Sequence, residues 1–279
     1  MPIHDQGYRR YGGGRAPRGQ GWIVIASAGI RGLFGKRAFL GILLLSWLPF
    51  FVRAVQIYAA ANLPQAAFLA PSAETFRHFL DQQSIFVFFV TVYVGAGLIA
   101  NDRRANALQI YLSKPLTRAE YVVGKLAILM TFLLLVTWVP ALLLLVVQIA
   151  FAGNFTFLGR NLFLFPAITL FSFVQSLMVA SAMLALSSLS KSSRYVGILY
   201  AALVFFSQAL YGVLTFVTGG TRMSWLSLPA DLQQVGNAIF RLPPLYDTPV
   251  LVSFLMVAAL IAVSGLVLER RVRGVEVVA

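Results

Sequence analysis

The chain has 279 residues, of which 59% are hydrophobic and 11% charged, and a mean hydropathy of +0.82, a composition that excludes an ordinary water-soluble domain and leaves lipid as the main solvent. It has no cysteine and only two histidines, His4 and His78, which removes disulfides, thiolate chemistry and a His/Cys metal site from consideration. The net charge of +13 raises nucleic acid as a partner, and its distribution along the chain answers that question differently.

Residues 1 to 20 are rich in Gly and Arg, with little that can pack, and are expected to form a disordered basic tail ahead of a single transmembrane domain over 21 to 279. They do not resemble a signal peptide, because the apolar run starts too late, at Ala38. Trp22 to Arg37 mixes apolar residues with Arg31, Lys36 and Arg37, which predicts an interfacial elbow helix before the first span. Six apolar stretches follow, near 38 to 60, 85 to 101, 122 to 149, 162 to 187, 195 to 217 and 249 to 268. Each is long enough to cross a hydrocarbon core of about 30 Å. The fold class is therefore all-α, a polytopic membrane protein with about six spans.

With the N-terminus placed in the cytoplasm, seventeen of the 22 Lys and Arg residues fall on the cytoplasmic side, and Arg53, Arg77, Arg160, Arg222 and Arg241 fall outside or near the outer interface. The positive-inside rule thus predicts that both termini are cytoplasmic. The same distribution makes anionic lipid, not nucleic acid, the expected partner of the basic surface.

Between the spans, two outer segments have helical patterning. Residues 72 to 84 read as an amphipathic helix leading into the second span, and Leu228, Leu232, Val235 and Ile239 form the apolar stripe of another, expected on or in the outer leaflet. Asn154-Phe155-Thr156 fits a glycosylation sequon, a short match to which no role is assigned. Pro140 and Pro166 are expected to kink or start their helices.

The stretch from Leu98 to Lys125 carries the most information. Asp102, Asn106, Gln109 and Ser113 share one face of a helical projection and Ala105, Leu108 and Leu112 another, so a short amphipathic helix is predicted over 102 to 113. Pro115 ends it at Lys114. Thr117 and Glu120 then form a capping box, with Leu116 and Tyr121 as its hydrophobic staple, and start the third span at once.

This stretch resembles the signature of type-2 ATP-binding-cassette permeases: Asp102-Arg103-Arg104, Ala107-Leu108, Leu112-Ser113-Lys114-Pro115-Leu116, Arg118 and Gly124-Lys125. It departs from many relatives in having Asn101-Asp102 where they have glutamate, and Asn106-Ala107-Leu108 where they have Gly-Thr-Leu. The resemblance implies a permease subunit, expected to export, that forms the substrate path as a homo- or heterodimer in the cell membrane, on this reading the bacterial inner membrane. It also implies an ABC-type ATPase partner coupled through the 102 to 120 segment, with Asp102, Arg103, Arg104, Asn106, Leu108, Gln109, Leu112, Pro115, Arg118 and Lys125 as the coupling residues. No phosphate-binding loop is present in the chain, so ATP and Mg are expected on the partner, with no cofactor, metal or catalytic site on this chain.

Three polar residues inside the spans are candidates for the substrate path or a gate. Arg53 lies sixteen residues after Arg37, about 24 Å along a helix, and is read either as snorkelling to headgroups or as an outer gate with Glu74 or Asp81. Gln175 and Gln208 fall near the middles of the fourth and fifth spans, as interhelical hydrogen-bond donors or path-lining groups. The alternatives to a permease are a membrane scaffold or accessory subunit, and a secondary transporter, which would normally carry intramembrane acids. An intramembrane enzyme would need a nucleophile with its base, or a metal cluster, and neither is visible.

Overall fold

A computed structural model describes residues 19–65, 71–107, 116–152, 159 and 161–272. Most of these are helical, with no strand among them, because a chain in lipid must satisfy its backbone donors and acceptors within each segment. Six helical segments are long and apolar enough to cross a membrane: Arg37–Asn62, Ala73–Arg104, Arg118–Phe151, Leu164–Leu189, Ser193–Thr218 and Val250–Arg271.

Helix α1 (Gly21–Phe34) precedes the first span and lies against the third. Gly124 permits this approach: a Cβ there would come within 3.0 Å of the Trp22 carbonyl oxygen and Ile25. The first span is divided at Trp47 into α2 (Arg37–Ser46) and α3 (Leu48–Asn62). Pro49, in the first turn of α3, supplies no N–H across the break. Gln83 of the second span reaches over and donates to the Ser46 carbonyl at 3.1 Å.

The second span starts at Ala73, so residues 72 to 84 are its first turns and not a separate outer element. Ser72 and Thr75 form its capping box. Phe76, Phe79 and Leu80 are fully buried, and this packing turns the segment into the bundle. After α4 (Ala73–Val90) comes a π-helical stretch at Thr91–Gly95, then a break before α5 (Ala100–Arg104). Gly95 lies at the closest approach, where a Cβ would meet Met183 of the fourth span at 2.4 Å.

The third span comprises α6 (Arg118–Val136) and α7 (Trp138–Ala152), joined at Thr137 ahead of Pro140. Thr137 Oγ1 returns a hydrogen bond to the Leu133 carbonyl at 2.9 Å. The fourth span, α8 (Leu164–Leu189), carries Pro166 in its first turn and is the central helix, with 72% of its most apolar window buried. For the first, fifth and sixth spans the figures are 11%, 22% and 17%, so these helices keep wide apolar faces for lipid or a partner. Leu129, Phe132, Leu133 and Val136 of α6 pack with Val179, Ala180 and Met183 of α8 in the main core.

The fifth span is α9 (Ser193–Thr218) and the sixth is α11 (Val250–Arg271). Between them α10 (Leu228–Ile239) forms where the Leu228, Leu232, Val235 and Ile239 stripe placed it. That stripe packs against the bundle. Val235 is fully buried beside Met178 of α8 and Val257 of α11, with the other three packed around them, so burial against the bundle is what the stripe stabilises.

Candidate functional site

Two regions hold the candidate residues, one at each end of the bundle. At the end carrying α1, the second span stops beside the start of the third. Asp102 Oδ2 lies 2.7 Å from Lys125 Nζ and accepts a 2.7 Å hydrogen bond from the Tyr121 hydroxyl, while Lys125 also sits 5.5 Å from the Tyr121 ring centre. Thr117 and Glu120 form both halves of the capping box, and Leu116 packs on the cluster that contains Tyr121, Ile99 and Leu184. Glu120 Oε1 accepts from the Gly21 backbone N–H at 3.2 Å, which ties the first turn of α1 to the third span.

Ser187 of the fourth span completes this end. Its hydroxyl accepts from the Ile99 and Ala100 N–H groups at 3.1 and 3.0 Å and donates to the Ala96 carbonyl at 2.9 Å. Those groups lose their helical partners at the break, and one buried side chain replaces them. Next to it, the Arg103 guanidinium donates to the Ser188 carbonyl. Nothing in the local pattern around Ser187 singles it out, since its role depends on a break nearly ninety residues away in the chain.

The predicted coupling residues therefore do different things. Asp102 and Lys125 are mostly withdrawn from solvent and hold the second and third spans together. Arg103 fastens the second span to the fourth. Arg104 and Asn106 are exposed. Arg118 faces an open groove between α6 and α11, of about 440 Å³, lined also by Val122, Leu268 and Glu269. The expected continuous helix from 102 to 113 is interrupted: α5 ends at Arg104, and Asn106 takes a left-handed backbone, φ 53°. Asparagine tolerates that conformation because its short polar side chain bonds locally. Asp102 and Asn106 accordingly do not share a helical face. Leu108, Gln109, Leu112 and Pro115 lie outside the described residues, as do the sequon at 154 to 156 and Arg160.

At the opposite end, α10 starts inside the bundle. Ser227 caps it, accepting from the Ala230 N–H at 3.2 Å, and donates to Gln208 Oε1 of the fifth span at 2.5 Å. Gln208 is ten residues from the end of α9, so α10 begins about 15 Å down that helix. Gln208 thus anchors α10. Gln234 then clasps the following loop, donating to the Tyr246 and Thr248 carbonyls at 3.1 and 2.9 Å and accepting from the Leu245 and Tyr246 N–H groups at 3.0 and 3.2 Å.

Arg77, on α4, is 1% exposed. It pairs with Asp81 at 2.6 Å, donates to the Gln233 carbonyl of α10 at 3.3 Å and lies over the Phe171 ring at 4.5 Å. Glu74 contacts His78 at 3.2 Å. Neither acid pairs with Arg53, whose guanidinium donates to Gln56 of its own helix at 3.0 Å. Gln175 donates to Ser84 of the second span at 3.1 Å and borders a cavity between the second, fourth and fifth spans and α10. Asp231 of α10 is fully buried, and neither carboxylate oxygen has a hydrogen-bond partner among the described residues. Burial pushes its pKa up to about 7.

A multi-pass bundle whose second and third spans are locked together beside a basic segment matches the model of a protein family, the ABC-2 family transporter proteins, over residues 24–260. No curated protein matches the chain at a significant level. The members of this family are the membrane components of transporters and are not themselves catalytic. The chain belongs to the ABC-2 family of transporter proteins.

Proposed function

We propose that the chain is the permease subunit of an ATP-driven exporter, that it works as a dimer, and that a separate ATPase drives it through the 102 to 120 segment. The observation that carries this reading is the tie of Asp102 to Lys125 and Tyr121. A push on the segment between these residues would act on the second and third spans as one body and, through Arg103 and Ser187, on the central fourth span. Force needs such rigid attachment if it is to move helices and not merely bend a loop.

The basic end is on this reading cytoplasmic, and ATP with Mg belongs to the partner. The weakly buried first and fifth spans support a dimer, since two such faces can bury one another. Arg53, Gln175 and Gln208 then take separate parts: Gln208 anchors α10, Gln175 borders the inner cavity, and Arg53 faces a groove between the first two spans, beside Gln56 and Gln82.

Co-purification tests the coupling. With an ABC-type ATPase partner co-expressed, Leu108→Glu or Leu112→Glu is expected to weaken association or to uncouple ATP hydrolysis from transport. Unchanged binding and coupling in both variants would remove the coupling role from this segment.

A further inference from the structure

We infer that the groove between the first and second spans binds one anionic phospholipid, its phosphate on Arg53, Gln56 and Gln82 and an acyl chain along Leu48, Pro49 and Phe86. The groove is open, with a volume of about 310 Å³, and all six residues line it. Their order along the helices is that of an amphiphile. Arg53 is nine residues from the end of the first span at Asn62, and Gln82 is nine from the start of the second at Ala73, so both stand about 14 Å from the same end of the bundle. Leu48, Pro49 and Phe86 lie deeper along the same two helices.

Charge decides the class of ligand. Gln82 is exposed and Arg53 and Gln56 are half-buried, so all three can be reached from the groove. Arg53 Nη1 donates to Gln56 Oε1 at 3.0 Å, which leaves Nη2 and Nε for a bidentate contact and Gln56 Nε2 as a further donor. Among the described residues Arg53 forms no ion pair, and a cation in an apolar wall without a counter-charge is costly. A second copy of the chain would not bring one. Of the described acids, Asp81 is taken by Arg77 and Asp231 is fully buried. Glu74 is eight residues, about 12 Å, further out than Gln82, and Asp247 is held by Thr221 in the loop before α11. Asp102, Glu120 and Glu269 belong to the opposite end. A lipid phosphate supplies the anion at the right depth. A headgroup carrying its own ammonium would find no carboxylate in the groove, so phosphatidylglycerol fits better than phosphatidylethanolamine.

The site rests on the six spans and is independent of the transport reading, so it is tested on the chain alone. Native mass spectrometry of the full chain, released from detergent and titrated with phosphatidylglycerol or phosphatidylethanolamine, counts the bound lipids. A tight first phosphatidylglycerol adduct is expected, and Arg53→Leu should weaken it about tenfold. Arg53→Lys keeps the charge without the planar fork and should fall between the two. Lys191→Gln with Arg194→Gln, at the opposite end, should leave the first adduct in place. Glycerol 3-phosphate, which has the phosphate without the chains, should not displace it. Phosphatidylglycerol should also raise the melting temperature of the wild type more than that of Arg53→Leu. If Arg53→Leu does not fold, Gln56→Leu combined with Gln82→Leu decides, with a weaker first adduct again expected. A first adduct as tight in these variants as in the wild type, tighter binding of phosphatidylethanolamine, or displacement by glycerol 3-phosphate would overturn the inference. So would loss of a dimer in Arg53→Leu with its lipid adducts unchanged, which would assign the groove to a second copy.

Discussion

Lys125 Nζ lies 2.7 Å from Asp102 Oδ2, and the two side chains are only 10% and 19% exposed. Their attraction is screened far less than that of a surface pair, and removing one partner leaves the other charge in a poorly hydrated site. Asp102→Asn or Lys125→Met should therefore lower stability by about 1–3 kcal/mol, between the values for exposed and fully buried pairs. The double variant should recover part of that loss. Thermal unfolding of the purified chain in detergent measures all three.

Ser187 holds three backbone groups at the break in the second span. Ser187→Ala should cost about 1–3 kcal/mol, the range for leaving buried groups unpaired. Hydrogen exchange at residues 96 to 104 should quicken by at least tenfold, while exchange in the middle of α8 stays unchanged. A uniform change along the chain would contradict this local role.

Gly236 of α10 faces Arg77, and a Cβ there would stand 2.3 Å from its Nε. The guanidinium is held by Asp81, the Gln233 carbonyl and the Phe171 ring and has little room to move. Gly236→Ala is thus expected to destabilise by about 1–3 kcal/mol, the usual cost of overpacking. The loss should be largest for α10, read by limited proteolysis of the 219 to 249 segment.

Asp231 makes stability fall as pH rises. Its carboxyl has a pKa of about 7 in the fold against an ordinary value of 3.8, so between these values the folded state binds the proton more strongly than the unfolded chain. The stabilisation is complete below about pH 4 and is lost as pH rises through 7. Asp231→Asn should remove this dependence and raise the melting temperature above pH 7. A wild-type minus variant difference that is flat from pH 4 to 8 would refute it.

What the sequence determined by itself was local or statistical. Six apolar runs, the Thr117–Glu120 capping box, the Pro140 and Pro166 positions and the stripe of α10 are each written in neighbouring residues, because helical period, capping and length to cross lipid are properties of a short segment. Tertiary structure alone decided what those segments touch. The α10 stripe could have met lipid as well as Met178 and Val257. Arg77 and Asp81 have the spacing of any surface ion pair, and only Phe171, Gln233 and Gly236 make theirs a buried one. Gln208 was legible as a costly amide in a span, but not that Ser227 answers it, and Asn106 takes its left-handed turn where periodicity alone carried the helix on. In lipid an unpaired polar group is costly, and whether its partner is four residues away or ninety depends on which helices pack together.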